Sequence, residues 1–242
     1  MKKNLNYFTK FELILWISSI IFIISSFIIF DRTNYFNLCV SLIGATSLIF
    51  CSKGNPIGQG LIILFSLMYG VVSLTFRYYG EMITYVFMTL PMAVISLISW
   101  IKNPAEKGKL EVKVNTIKPK EILFMLLLSL IVTIIFYLLL SALSTPNLLM
   151  STISISTSFI ASYLTFRRSE FYALAYAAND VALIILWVLA SIQDISYLSI
   201  IICFIVFLVN DIYGYINWLN MKKRQKKGSV ESDGVLNISI KK

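Results

Sequence analysis

The sequence predicts an all-α, multi-pass (polytopic) membrane protein with eight spans, built as a parallel repeat of two three-helix bundles with an extra N-terminal helix. Three observations predict it. Of 242 residues, 58% are hydrophobic and only 14% are charged, whereas soluble domains carry about a quarter charged residues. Apolar runs close to or beyond about 18 residues, the length a bilayer demands, recur along the whole chain. Setting Trp100 against Trp218, an offset of 118 residues, brings the preceding spans into register. Tyr69 then meets Trp187, Ser73 meets Ser191, Tyr79 meets Tyr197, Leu90 meets Leu208 and Ser96 meets Gly214.

The spans are 11–30, 35–52, 57–76, 81–101, 121–143, 147–166, 170–192 and 197–220. The first is too long for a cleavable signal segment and has no small-residue cleavage site. Short connections make neighbouring spans antiparallel hairpins; the polar stretch 102–120 is the exception. Basic residues set the orientation. Lys2, Lys3, Lys10, Lys53, Lys102, Lys107, Lys109, Lys113, Lys118, Lys120, Arg167, Arg168, Lys222, Lys223, Arg224, Lys226 and Lys227 all fall on one side. The other side holds Arg32 and Arg77, offset by Asp31 and Glu81, plus Asp194. Both termini are therefore expected in the cytoplasm, in a cell (plasma) membrane. The net charge of +9 reads as this topological signal, with no nucleic-acid partner.

The segments are an N-terminal piece and extra helix (1–34), a first bundle (35–101), a cytoplasmic loop (102–120), a linker helix (121–143), a second bundle (147–220) and a basic tail (221–242). After Lys227 the tail is polar and expected to be mobile. Its basic run suits anionic membrane lipid, although topology alone accounts for it. One intervening span gives both bundles the same orientation, an arrangement known from transporters with a midplane substrate site. A duplication kept only for folding is the alternative.

No histidine is present, which excludes histidine zinc sites and proton relays. Cys39, Cys51 and Cys203 lack metal-ligand spacing and read as small packing residues. No metal or cofactor is expected. The chemistry concentrates in two Asn-Asp pairs. Asn179 and Asp180 lie about 15 Å from the cytoplasmic surface along helix 7, and Asn210 and Asp211 lie at the same depth on the returning helix 8. Ionisable groups inside spans mark pathways or sites.

Tyr172, Tyr176, Asn179 or Asp180, and Trp187 share one side of helix 7. On helix 8, Asn210, Tyr213 or Gly214, and Asn217 form one stripe, with Asp211, Gly214 and Trp218 on the adjoining one. Gly214 would admit a backbone or a ligand. This surface suits a planar, polar, cationic heterocycle bearing hydroxyls. The rival account has the polar groups only bonding neighbouring helices, with Trp16, Trp100 and Trp218 in the interfacial belt. The first repeat carries Leu61, Ile62, Met92 and Ala93 where the second has its Asn-Asp pairs. Pro91 is expected to kink or loosen helix 4, for a gate or for static packing.

NDIYGYINW at 210–218, ANDVALIILW at 178–187 and YYGEMITYVFMTLPMAVISLISW at 78–100 resemble the PnuC-type vitamin transporter family across 35–220. The resemblance implies a SWEET-like 3+1+3 fold, a homotrimer, and facilitated passage of nicotinamide riboside. It also implies that cytoplasmic phosphorylation of this small-molecule substrate supplies direction. Related subfamilies take thiamine, riboflavin or nucleosides. The family pattern WxxWxxxN falls on Tyr172, Ala175 and Asn179, with Tyr176 beside the lost second tryptophan. Asn179 carries over as a substrate contact. In that reading Tyr172, Tyr176 and Trp187 stack on the ring, while Asn179, Asn210 and Asp211 bond ribose or amide. Asp180 and Tyr213 complete the candidate site.

Two other classes stay open. Two aspartates on adjacent helices could form an acid-protease dyad, but the GxGD context is missing around Asp180 and Asp211. A proton-coupled carrier or sensor would titrate one of the same two aspartates.

Overall fold

The computed structural model describes residues 7–75, 78–106, 108–192 and 194–239, with side chains up to Gly228. Lys2, Lys3, Arg77 and Lys107, used above for orientation, lie outside the described residues. Among the described residues, eight helices are long and apolar enough to cross a membrane. They are α1 (Lys10–Phe30), α2 (Tyr35–Ser52), α3 (Pro56–Thr75), α4 (Tyr79–Lys102), α5 (Pro119–Ala142), α6 (Leu148–Phe166), α7 (Tyr172–Ser191) and α8 (Leu198–Ser239).

Local chemistry sets the ends. Thr9 and Glu12 form a capping box at the start of α1, at 3.2 and 2.6 Å. Pro119 opens α5, where its missing N–H costs nothing. Asp194 accepts from the Ser196 N–H at 2.9 Å to start the turn before α8. Pro91 does not break α4. A wide π-helical stretch, Thr84–Thr89, precedes it and absorbs the lost hydrogen bond. Along the tail, the helical backbone of α8 runs to Ser239. The tail has no proline, and each glycine costs a helix only about 1 kcal/mol.

α2 packs on α3, and α4 on α3; α7 packs on α6 and on α8. The α2–α8 and α4–α6 contacts join these two groups, α1 lies across α2 and α8, and α5 leans on α6. Residues paired by the 118-residue offset also touch one another. The Trp187 indole donates to the Tyr69 hydroxyl at 3.1 Å, and the rings of Trp100 and Trp218 lie 5.3 Å apart. Trp100 donates to the Thr165 carbonyl at the end of α6, and Trp218 to the Cys51 carbonyl at the end of α2, both at 2.9 Å. Both rings are fully buried. The interfacial-belt reading is therefore wrong for Trp100 and Trp218: their N–H groups satisfy helix-end carbonyls that would otherwise be orphaned. Trp16 is half-buried and donates to Thr46 at 3.2 Å.

The stretch 103–118 is a strap rather than a solvated spacer. Val112 donates to the Gly54 carbonyl and Asn115 to the Arg168 carbonyl, both at 2.9 Å. The Gln225 side chain holds Val114 N at 2.9 Å and Val112 O at 3.0 Å. Val112 is fully buried beside Trp100, Trp218 and Met221. The strap therefore ties both groups of helices together at one end, called the linker end below.

α1 is fastened at the same end. Lys53 donates to both Glu12 oxygens at 3.0 Å, and Tyr213 donates to Glu12 at 3.0 Å. Removing one partner of a buried ion pair leaves the other charge uncompensated. Lys53→Met is expected to cost about 3 kcal/mol, and adding Glu12→Gln should restore most of it. Thermal melts of the detergent-solubilised protein check this; a single variant melting like wild type would contradict it.

Candidate functional site

A cavity sits where the two groups of helices meet. α7 contributes Tyr172, Tyr176, Asn179 and Asp180, and α8 contributes Asp211, Phe204 and Phe207. The first group contributes Ser47 and Cys51 from α2, Gln59 and Phe65 from α3, and Tyr85 and Thr89 from α4. Its volume is about 50 Å³. Pockets for small molecules measure about 300 Å³ or more, so this conformation is closed around room for a few waters. Any larger ligand requires the helices to part.

Asn179 accepts from the Thr157 and Ser154 hydroxyls of α6 at 3.0 and 3.3 Å. Its oxygen is thereby fixed. The carboxyl groups of Asp180 and Asp211 lie within hydrogen-bonding reach of each other. A hydrogen bond between two carboxyl groups requires at least one proton, so the pair carries at most one negative charge. Among the described residues, no lysine or arginine lines the cavity. Tyr176 and Ser162 hydroxyls bond at 3.2 Å, and Gln59 donates to the Cys51 sulfur at 3.4 Å. Flat rings, two amides and a carboxyl pair therefore converge on one cavity.

Five of the eight sequence candidates line this cavity: Tyr172, Tyr176, Asn179, Asp180 and Asp211. Three do not. Trp187 is fully buried above it, against Tyr69, Tyr78 and Tyr197. Asn210 donates to Ser19 on α1 at 2.9 Å, and Tyr213 reaches Glu12 on the same helix. The polar motif on α8 is thus split: its Asp211 side faces the cavity, and its Asn210 side grips the extra helix. Gly214 packs against Ala173 of α7 and Ser52 of α2 rather than a ligand.

Gln59, Tyr85 and Thr89 were missed. Gln59 in GQGLIILF was a readable signal, an amide standing inside an apolar run. Gly44 was missed too. A Cβ there would lie 2.3 Å from Phe207 Cζ and 3.0 Å from Phe65, both cavity rings. Gly44→Ala is expected to force Phe207 into the cavity and weaken ligand binding about tenfold or more, as overpacking costs about 1–3 kcal/mol. Ligand titration with a matched thermal melt checks it; unchanged affinity would show that the rings move freely.

Residues 34–220 match the family model described as "Nicotinamide mononucleotide transporter". The chain is 27% identical over 222 residues to the nicotinamide riboside transporter PnuC of Neisseria mucosa, spanning 89% of this chain and 83% of that protein. A crystal structure of the vitamin B3 transporter PnuC has the same fold, with a TM-score of 0.78 at 21% identity, over 90% of this chain and 94% of that one. With its eight spans and a family match across most of its length, the chain belongs to the nicotinamide mononucleotide transporter family, whose members are membrane transporters and not enzymes.

Proposed function

We propose that the protein is a facilitator importing nicotinamide riboside, with both termini cytoplasmic and with cytoplasmic phosphorylation of the substrate supplying direction. The observation that carries this reading is the cavity itself: a carboxyl pair among aromatic rings, with the Asn179 amide beside it. A pyridinium ring offers one positive charge and a flat face, and the ribose offers hydroxyls. Tyr172, Tyr176 and Tyr85 would flank the ring, the Asp180–Asp211 pair would balance its charge, and Asn179 would bond amide or ribose. The name of the Neisseria relative supports the same substrate.

In this reading the bundles 35–101 and 147–220 form a SWEET-like repeat and rock about the cavity. The reciprocal Trp100 and Trp218 bonds close the cytoplasmic side, and the Tyr69–Trp187 contact closes the outer side. A homotrimer surrounded by lipid is the proposed assembly; the outward side of α5 is apolar and uncovered.

Uptake of labelled nicotinamide riboside into proteoliposomes tests this. Uptake that follows the gradient alone and survives an uncoupler is expected; absence of uptake would contradict it. A second reading, proton coupling, draws on the hydrogen-bonded carboxyl pair. It requires uptake to rise when a pH gradient is imposed.

A further inference from the structure

One ionisable side chain outside the cavity stands apart. Glu81 lies on α4 near the end away from the linker, the outer end under the proposed orientation. It is 1% exposed, and neither carboxyl oxygen has a hydrogen-bond partner. Glu12, Glu106, Glu111, Glu121 and Glu170 each meet a lysine or arginine. Burying a carboxyl at membrane depth without a partner is costly, and such residues are kept for pathways and sites.

The surroundings of Glu81 are aromatic. The Tyr69, Tyr78 and Tyr85 phenols lie close enough to interact electrostatically with its carboxyl. The rings of Tyr69 and Tyr85 are 4.4 Å apart, and the Tyr78 ring lies 4.8 Å from that of Trp187. The buried Ser73 hydroxyl, one turn from Tyr69, lies within reach of the Tyr69 phenol. Tyr85 belongs to both places. It lines the central cavity and follows Glu81 by one turn of α4. The π-helical stretch Thr84–Thr89 begins between them, and such stretches mark functional sites and loosened helix ladders.

We propose that Glu81 is an outer subsite for an organic cation. Its carboxylate, with the Tyr69, Tyr78 and Tyr85 rings, receives the positively charged ring before Tyr85 admits it to the central cavity. A carboxylate with phenol rings in its neighbourhood suits a flat monocation. It does not suit a metal ion: no group of three or more metal-ligating side chains occurs among the described residues. A neutral nucleoside gains nothing from the charge. The inference rests on the nicotinamide riboside reading.

The test is uptake into proteoliposomes of nicotinamide riboside and of its neutral dihydro form, by wild type, Glu81→Gln and Glu81→Asp. Glutamine keeps the shape and the hydrogen-bonding groups but cannot carry charge. Glu81→Gln should lower uptake of the cation at low concentration about tenfold, mainly as a higher KM, as expected for losing a cation contact of about 1.4 kcal/mol. Uptake of the neutral form and equilibrium binding of the riboside in detergent should stay at the wild-type level, and Glu81→Asp should recover part of the loss. Cation uptake by Glu81→Gln equal to wild type would overturn the subsite, leaving Glu81 a neutral buried acid. Loss of binding in detergent together with uptake would overturn it too, by placing Glu81 in the central site or the fold. If wild type itself takes up no riboside, the substrate reading fails and the subsite falls with it; that result is seen before any variant is compared.

Discussion

Replacing both Asp180 and Asp211 with asparagine is expected to reduce uptake of nicotinamide riboside about a hundredfold while leaving the folded protein as stable as wild type or more so. The two carboxyl groups face each other in a closed cavity, and among the described residues no lysine or arginine lines it to balance them. In the absence of a ligand the pair shares at least one proton and has no cation against it. A cationic ring arriving beside it supplies the missing positive charge and favours the ionised pair. Losing a desolvated charge from such a contact costs about 2–5 kcal/mol, which is a hundredfold effect within that range. For stability the sign reverses, because replacing buried ionic groups by neutral ones of similar volume is often neutral or stabilising.

Asp211→Asn alone leaves Asp180 able to ionise beside an amide, so its loss should be smaller, about tenfold. Uptake kinetics paired with thermal melts read both effects. A double variant that transports the cation normally would remove the carboxyl pair from the mechanism.

Trp218→Ala is expected to cost about 4 kcal/mol, the usual range for emptying a fully buried large aromatic site. The ring is packed against Trp100, with centroids 5.3 Å apart, and against Tyr172, at 4.7 Å. Trp218→Phe isolates the gating part. Most of the volume stays, but the N–H bond to the Cys51 carbonyl goes, worth about 1 kcal/mol net. If that bond exists only in the closed state, its loss shifts the balance towards opening at the linker end about fivefold. Cys51 supplies the reporter, because its thiol is buried at the cavity wall. In a Cys39→Ser background, which removes the exposed thiol, maleimide labelling of Cys51 should speed up about fivefold in Trp218→Phe. An unchanged rate would mean the latch stabilises open and closed states alike.

The spans were legible in the sequence because hydropathy acts residue by residue, and the observed helices match those read from apolar runs. The meeting of Asp180 and Asp211 was legible too, since depth follows from counting along antiparallel helices. Direction around the helix was harder. Asn210 is one residue from Asp211, yet that step of about 100° turns it away from the cavity towards Ser19 on α1. Nothing in the α8 pattern says which stripe meets the extra helix. Trp100 and Trp218 looked like interface anchors because their acceptors are carbonyls of the other bundle, visible only after folding. The strap at 103–118 was hidden for the same reason. Its ties to Gly54, Arg168 and Gln225 come from three distant segments. Glu81 was read only as a loop counter-charge, although its burial makes it the one carboxylate among the described glutamates without a bonded partner.

Binding of nicotinamide riboside, thiamine and riboflavin to the purified protein, measured side by side by calorimetry with wild type and Asn179→Ala, tests the central claim most directly. The cavity account predicts that the riboside binds at one site per chain, that the other two bind weakly or not at all, and that Asn179→Ala weakens riboside binding about tenfold, as for one lost hydrogen bond of about 1.4 kcal/mol. Riboside binding at the wild-type level in Asn179→Ala, or tight binding of thiamine or riboflavin in place of the riboside, would contradict it.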